Sequence, residues 1–306
     1  MSASSSLSAD LAHRVLAAGL DPQALVAIVD AALAEDLAGG EDVTSVATVP
    51  EQTRASAVFA SRAAGVVAGL DIAEAVLERA ARHPVRCEQH AADGDRVVAG
   101  QRLLTVSGRA RDLLLAERTA LNLLGHLCGI ATLTRAWVDA VTGTSAAIRD
   151  TRKTTPLLRA LEKYAVRCGG GTNHRMSLSD AALVKDNHVL AAGGVVPAFQ
   201  RVRSACPDLP VEVEVDSVDD AVAAVEAGAD LVLLDNFGLE QLRQAVARVA
   251  GRARLEASGG LTLKDAAAVA ATGVDYLAVG ALTHPAPVLD IGLDFGEPDH
   301  GGAAWA

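Results

Sequence analysis

This chain has few aromatic residues, few cysteines and no long apolar run, and the last two shortages each exclude a class of protein. Aromatic side chains make up only 3% of the 306 residues. The four cysteines, Cys87, Cys128, Cys168 and Cys206, include no Cys-x-x-Cys pair, so we expect reduced thiols in a cytoplasmic protein rather than a zinc site or a disulfide scaffold. No apolar run is long enough to cross a membrane. The Ser-rich start lacks the basic and apolar regions of a signal peptide.

Positive charge is also scarce, except in one segment. The formal net charge is −11, which argues against binding to nucleic acid or to an anionic membrane. The stretch from Arg149 to Lys185 is the exception, with eight Lys or Arg against three Asp or Glu, a net +5. A local cationic segment in an acidic protein indicates a small anionic ligand.

Lysine is absent before Lys153, and this absence removes one interpretation of the first half. Residues 93–97 and 100–103 have the turn and strand pattern of biotinyl and lipoyl carrier domains. Such a domain presents a lysine for modification, so the pattern is assigned to an ordinary small sheet.

The composition and the patterning of the rest predict an α/β protein with two domains. Half of the residues are hydrophobic, with Ala, Val, Leu and Gly dominant, which suits helices packed on buried parallel strands. Residues 110–141 read as one long helix. Arg118, Asn122 and His126 form a polar stripe on it at a spacing of four. The stripe suits a solvated face as well as a functional one, and we interpret His126 as structural.

The second half alternates strands and helices, which predicts a parallel sheet closed, or nearly closed, as a barrel. We expect six strands with room for a seventh, fewer than the usual eight. The predicted strands are Ala146–Asp150, Ala182–Lys185, Val211–Val215, Leu231–Leu234, Ala253–Ala257 and Tyr276–Val279.

The carboxyl ends of these strands carry the candidate site, because active sites of such barrels lie there. The first ends and the following loop are cationic, the middle ends are acidic, and the last two are glycine-rich. Arginine suits bidentate carboxylate recognition, carboxylates suit a divalent metal, and the last loops of a barrel commonly bind phosphate. The three groups are Arg152, Lys153, His174, Arg175 and Lys185; Glu214 and Asp235; and Ser258, Gly259 and Gly260 with Gly280, Ala281 and Leu282.

Several of these charges also have plain structural interpretations. One or two of Glu212, Glu214 and Asp216 could be buried pairs in the barrel wall. We interpret Arg159, Lys163 and Arg167, spaced by four, as a solvated helix face.

Taken together, the motifs resemble the quinolinate phosphoribosyltransferase family over roughly residues 30–295. The motifs that carry the resemblance are Glu35-Asp36-Leu37, Gly40-Glu41-Asp42-Val43-Thr44, Glu117-Arg118-Thr119-Ala120-Leu121-Asn122, Asp150-Thr151-Arg152-Lys153-Thr154, Gly169-Gly170-Gly171-Thr172-Asn173-His174-Arg175, Leu183-Val184-Lys185-Asp186-Asn187-His188, Glu212-Val213-Glu214-Val215-Asp216, Leu234-Asp235-Asn236, Glu256-Ala257-Ser258-Gly259-Gly260 and Val279-Gly280-Ala281-Leu282-Thr283-His284.

The resemblance implies an activity and a set of partners. The family transfers the phosphoribosyl group of 5-phosphoribosyl 1-pyrophosphate to quinolinate with decarboxylation, giving nicotinate mononucleotide, pyrophosphate and carbon dioxide for NAD biosynthesis. It implies Mg²⁺ as cofactor and a homodimer with shared active sites.

The resemblance also implies roles for individual residues. Arg152, His174, Arg175 and Lys185, with Thr151 beside them, would bind quinolinate, and Arg118 would come from the neighbouring subunit. Lys153, Glu214 and Asp235 would be the catalytic residues on the phosphoribosyl side, the two acids holding Mg²⁺ partly through substrate and water. The residues expected at the 5-phosphate are Ser258, Gly259, Gly260, Gly280, Ala281 and Leu282.

The implied fold is an open α/β sandwich followed by an incomplete α/β barrel. We therefore expect a disordered extension over 1–22, a sandwich domain over 23–117 and a barrel over 118–285. The remaining segment, 286–306, would be a tail that packs on the first domain.

Three other functions fit parts of the pattern. The first is a paralogue that no longer binds quinolinate, such as a homologue associated with molybdenum transport. The second is a noncatalytic sensor of a phosphate ligand. The third is an aldolase that forms a Schiff base on Lys153 or Lys185. The full set of cations and acids argues against the first two, and borohydride trapping with a carbonyl substrate tests the third.

Overall fold

The computed structural model of the chain describes residues 6–296, which separate into two units. The first unit contains the described residues up to Leu133, the segment Thr155–Gly169 and the residues from Ala286 onward. The second contains Thr134–Thr154 and Gly170–Pro285.

Helices and strands alternate through most of the described chain. The helices are α1 (Ala9–Ala17), α2 (Pro22–Leu37), α3 (Val43–Thr48), α4 (Leu70–Ala80), α5 (Ala110–Ala140), α6 (Arg159–Cys168), α7 (Asp186–Ala192), α8 (Val195–Ala205), α9 (Val218–Glu226), α10 (Leu239–Val249) and α11 (Ala266–Ala270). The strands are β1 (Arg54–Ser61), β2 (Gly65–Val66), β3 (Arg86–Gln89), β4 (Arg96–Val97), β5 (Arg102–Arg109), β6 (Ala147–Arg149), β7 (Ala182–Val184), β8 (Val211–Val215), β9 (Leu231–Asp235), β10 (Arg254–Ser258), β11 (Tyr276–Ala278) and β12 (Ile291–Phe295).

The first 22 residues are not the disordered extension that the sequence suggested. Residues 9–17 form α1, because Leu11 and Val15 lie on one face and are fully buried. Its Arg14 forms ion pairs with Asp71 and Glu74 of α4. Residues 1–5 of the predicted extension lie outside the described residues.

The first unit is built on a four-stranded antiparallel sheet in the order β12-β1-β5-β3. Its outer strand β12 comes from the predicted tail, whose residues 297–306 lie outside the described residues. The chain reaches β12 across α5, where Gly129 allows close approach: a Cβ there would lie 2.0 Å from the carbonyl oxygen of Pro287. Leu289 also donates its backbone N–H to Gly125 O, at 3.0 Å.

The boundary between the units differs from the one predicted at 117/118. Helix α5 runs without a break through that position, and the division falls at Leu133/Thr134. The segment containing α6, expected in the barrel, belongs to the first unit. Lys163 of α6 is completely buried, so the interpretation of that residue as solvated was wrong, whereas Arg167 on the same helix is exposed. Charge spacing alone did not show which side of that helix is covered.

The second unit confirms the six predicted strands and their parallel arrangement. They form one sheet in the order β6-β11-β10-β9-β8-β7. Because β6 and β7 do not pair with each other, the barrel is incomplete. A parallel bridge between Arg149 and Thr172 extends the sheet beside β6, where the sequence left room for a seventh strand.

The alternation of side chains along the barrel strands determines which of them face the site. In β8, Val211, Val213 and Val215 are buried, and the two glutamates between them, Glu212 and Glu214, point to the opposite face. The same period in β10 puts Glu256 and Ser258 on one side. The apolar side packs against helices such as α8 and α9, which leaves the polar side for the barrel interior.

No single helix among residues 6–296 is long and apolar enough to span a membrane. The bent pair α1 and α2, with 110° between its members, meets the length and composition criteria only when the two are taken together.

Candidate active site

A cavity of about 710 Å³ lies at the carboxyl ends of the six barrel strands, and all of its lining residues belong to the second unit. The structure brings together thirteen of the predicted site residues there: Thr151, Arg152, Lys153, His174, Arg175, Lys185, Glu214, Asp235, Ser258, Gly259, Gly260, Gly280 and Ala281. Leu282 is completely buried and does not line the cavity. Arg118, on α5, is exposed and makes no ion pair among the described residues.

The cationic side of the cavity is formed by two arginines that lack full hydrogen bonding. The Nε atoms of Arg152 and Arg175 are buried and have no partner among the described residues. Burial and the neighbouring Arg152 lower the pKa of Arg175. Crowded, partly desolvated guanidinium groups are stabilised by an anion that accepts their free N–H groups. This part of the cavity is therefore suited to carboxylates.

Lys185 joins the cationic side to the acidic side. Its Nζ lies 2.5 Å from Glu214 Oε2. Its backbone N–H donates to His188 Nδ1 at 2.9 Å, so His188 supports Lys185 at the start of α7.

Asp235 has a hydrogen-bond partner for which no role was predicted. Asn236 follows it with φ 58°, a left-handed conformation that asparagine tolerates better than most residues. Its Nδ2 donates to Asp235 Oδ2 at 2.7 Å. Asn236 thereby fixes the orientation of Asp235 at the cavity. The Asp-Asn pair directly after a buried strand is the signal that could have indicated this role.

The glycine-rich ends come close to the side chains that they face. Gly259 has φ 88°, and a Cβ on it would lie 2.2 Å from Asn236 Oδ1. A Cβ on Gly280 would lie 2.8 Å from Cδ of Lys153. Gly259 therefore requires glycine, whereas a side chain at Gly280 would displace Lys153. The missing side chains leave the backbone accessible to a ligand.

His174 lies at the centre of a buried polar cluster beneath the arginines. Its Nε2 lies 2.7 Å from Glu212 Oε2 and 3.7 Å from Glu256 Oε1. Arg149 NH1 contacts Glu256 Oε2 at 2.5 Å. Burial, followed by repulsion from Glu212, raises the pKa of Glu256 to about 7. Glu256 also lines the cavity. The strand alternation indicates this position, but no role was predicted for the residue.

Two sets of acids deserve comparison as metal ligands. In residues 6–296, the group whose ligand atoms converge within 4.8 Å is His174, Glu212 and Glu256. Each carboxylate of that group already has a partner, Arg149 for Glu256 and His174 for Glu212, so the group does not call for a cation. Glu214 and Asp235 face the cavity without a third converging side chain. A metal on these two would take its remaining oxygen ligands from substrate and water, as Mg²⁺ commonly does.

Comparisons with known proteins agree on one family over most of the chain. The family model described as "Quinolinate phosphoribosyl transferase, N-terminal domain" matches residues 42–128. The model of the C-terminal domain of the same family matches residues 130–294.

Individual relatives match over nearly their whole length. The carboxylating nicotinate-nucleotide pyrophosphorylase of Mycobacterium leprae is 56% identical over 86% of this chain and 94% of its own. The decarboxylating quinolinate phosphoribosyltransferase 1 of Nicotiana glauca is 36% identical over 88% and 81%. The solved structure of the nicotinate-nucleotide pyrophosphorylase from Francisella tularensis has a TM-score of 0.85 and 37% identity, covering 89% of this chain and 96% of that one.

Proposed function

This chain belongs to the quinolinate phosphoribosyltransferase family, and from that premise we propose how its cavity residues divide the reaction. The enzyme transfers the phosphoribosyl group of 5-phosphoribosyl 1-pyrophosphate to quinolinate and releases pyrophosphate and carbon dioxide. The product is nicotinate mononucleotide, a precursor of NAD.

Quinolinate binds on the cationic side of the cavity, between Arg152, Arg175 and Lys185. The observation that carries this assignment is the pair of buried, unpartnered Nε atoms on Arg152 and Arg175. A pyridine with two adjacent carboxylates supplies acceptors for both guanidinium groups at once. Nicotinate has one carboxylate and would leave part of this set unpaired, which opposes its binding. Thr151 carries no charge, but it fixes the loop because its Oγ1 accepts the backbone N–H of Lys153 at 3.0 Å.

The phosphoribosyl group binds on the opposite side. Lys153 is exposed in the cavity and makes no ion pair within the described chain. Its backbone is held by the Thr283 hydroxyl, which donates to the Lys153 carbonyl. We assign Lys153 to the pyrophosphate leaving group. The 5-phosphate is assigned to the glycine-rich ends at Ser258, Gly259, Gly260, Gly280 and Ala281, with Leu282 supporting them from the core.

Glu214 and Asp235 are assigned to Mg²⁺ and to the reacting sugar carbon. These two acids would hold Mg²⁺, which would offset the charge of the departing pyrophosphate. Ribosyl transfer passes through a cationic state at the sugar, much as glycoside cleavage does, and Glu214 stabilises it electrostatically. Glu214 must first release Lys185, which then becomes available to a quinolinate carboxylate.

Decarboxylation needs no further acid or nucleophile from the chain. Once the ring nitrogen carries the ribose, its positive charge stabilises the carbanion left by carbon dioxide, and that carbon then takes a proton from water. The residues contribute by holding the ring and the sugar in register, so catalysis rests on positioning and electrostatics.

We assign the active form to a cytoplasmic homodimer with shared sites. The support is Arg118: it is exposed, unpaired in the described chain and absent from the cavity lining. A two-fold dimer presents one such arginine to each partner cavity, where it completes the cationic side.

Two alanine variants test this division. Arg175→Ala should raise KM for quinolinate by about tenfold to a hundredfold with little change for phosphoribosyl pyrophosphate, because a charged hydrogen bond is lost. Lys153→Ala should instead raise KM for phosphoribosyl pyrophosphate with little change in KM for quinolinate. The matched controls are Arg243→Ala and Lys264→Ala, which remove exposed cations outside the cavity. Wild-type constants for both substrates in both site variants would show that the site is misplaced.

A further inference from the structure

His174 lines the cavity, yet both nitrogens of its ring already have protein partners. The side chain is only 8% exposed. Its Nδ1 lies 2.7 Å from the backbone nitrogen of Arg175, and its Nε2 lies 2.7 Å from Glu212 Oε2. A residue that binds a substrate carboxylate through its ring would need one of these nitrogens.

The partners fix which nitrogen carries the proton. A backbone N–H can only donate, so Nδ1 of His174 is the acceptor and has no proton. The proton is therefore on Nε2, where it is donated to the Glu212 carboxylate. In this arrangement the imidazole is neutral and offers no donor to a ligand.

The backbone of His174 is held from the other direction. Asp150, completely buried at the end of β6, accepts the His174 backbone N–H at 2.8 Å and the Asn173 side-chain amide at 2.6 Å. The ring and the backbone of His174 are thus both anchored to the barrel. The residue attached to this anchor is Arg175, whose NH1 also donates to the carbonyl of Ala181 at 2.9 Å.

We propose that His174 is a positioning residue that orients Arg175 through its Nδ1 and does not itself bind quinolinate. Glu212 holds the ring so that Nδ1 faces the Arg175 backbone, and Glu256, which is paired with Arg149, lies 3.7 Å from the same Nε2. The two carboxylates of quinolinate are then matched by arginine and lysine alone. This inference rests on the proposed function, because it concerns how the same cavity binds quinolinate.

Two substitutions separate the nitrogens of His174. Asparagine places an acceptor oxygen near the position of Nδ1 and loses the contact with Glu212. Glutamine places a donor near the position of Nε2 and loses the acceptor for Arg175. If His174 acts through Arg175, His174→Asn should keep kcat/KM for quinolinate within about fivefold of wild type. His174→Gln should lower it by about tenfold to a hundredfold, the effect of leaving a part-buried backbone N–H unpaired.

The double variant His174→Gln/Arg175→Ala completes the test as a double-mutant cycle. If His174 acts through Arg175, the double variant should be no more than about threefold worse than Arg175→Ala alone. KM for phosphoribosyl pyrophosphate should stay within about twofold of wild type in His174→Asn and His174→Gln, which shows that the fold and the other half of the site are intact. If a His174 variant fails to fold, Glu212→Ala takes its place in the cycle, because Glu212→Ala removes the contact that holds the His174 ring.

The outcomes distinguish this inference from the proposed function. The positioning role would be overturned if the losses of His174→Gln and Arg175→Ala multiply in the double variant, or if His174→Gln is more active than His174→Asn. Either result would assign the ring to the substrate. Absence of quinolinate turnover by the wild-type enzyme would instead overturn the proposed function. Coupled losses with rescue by asparagine would support both.

Discussion

Replacing Glu256 with glutamine should make the protein more stable at alkaline pH than the wild type. Glu256 is completely buried, and burial and Glu212 raise its pKa from the ordinary 4.5 to about 7. Glutamine has almost the same shape and keeps an oxygen for Arg149, but it cannot ionise. The substitution therefore isolates the penalty of burying the carboxylate.

The sign follows from the direction of the shift. Between pH 4.5 and about 7 the folded chain holds a proton on Glu256 that the unfolded chain has lost. Stability from this group is therefore present below pH 4.5 and falls as pH rises to about 7. The difference between a pKa of 4.5 and one of about 7 corresponds to roughly 3 kcal/mol. With about 2 °C per kcal/mol for a chain of this size, the effect is on the order of 6 °C in Tm.

Thermal unfolding of the ligand-free protein at pH 5 and pH 8, at constant ionic strength, measures this effect. Because part of the loss has already occurred at pH 5, the Tm of Glu256→Gln minus that of wild type should increase by about 5 °C between the two pH values. The matched control is Glu240→Gln, which makes the same chemical change on an exposed side chain of α10. An unchanged difference, or a larger advantage of wild type at pH 8, would refute the reasoning.

Three further predictions concern the site itself. Gly280→Ala should raise KM for phosphoribosyl pyrophosphate more than KM for quinolinate in steady-state kinetics, because its Cβ would lie 2.8 Å from Cδ of Lys153; equal changes would contradict the assignment. Asp235→Asn should raise the Mg²⁺ concentration needed for half-maximal activity at least tenfold, and chelation of Mg²⁺ should abolish wild-type activity. Arg118→Ala and Lys153→Ala should each be nearly inactive alone. Refolding an equimolar mixture should restore about a quarter of wild-type activity, because random pairing repairs one site in each mixed dimer. No recovery, with mixed dimers confirmed by native mass spectrometry, would show that Arg118 does not act across subunits.

The barrel and its strand ends could be predicted because their pattern is local. The six strands are short and rich in apolar residues, most of them end at polar or glycine residues, and parallel strands bring those ends to one edge. The cationic, acidic and glycine-rich groups therefore meet in one cavity, as the order along the chain indicated. Leu282 differs because the turn at Gly280–Leu282 directs it into the core.

The partners of buried charges could not be predicted, because they depend on contacts distant in sequence. His174 meets Glu212 and Glu256 only after the barrel strands are in register. Lys163 reads as part of an exposed stripe until the packing of α6 covers it. The same holds for α1, whose burial depends on contacts with α4 more than fifty residues away.

The central claim is that the arginine pair selects a dicarboxylate, and one measurement tests it most directly. The purified protein is mixed with phosphoribosyl pyrophosphate, Mg²⁺ and either quinolinate labelled in its 2-carboxyl carbon or nicotinate, and the products are quantified. We predict that quinolinate gives nicotinate mononucleotide, with one labelled carbon dioxide released for each pyrophosphate, and that nicotinate gives almost no product. Equal use of nicotinate, or mononucleotide formed without release of the label, would contradict the account.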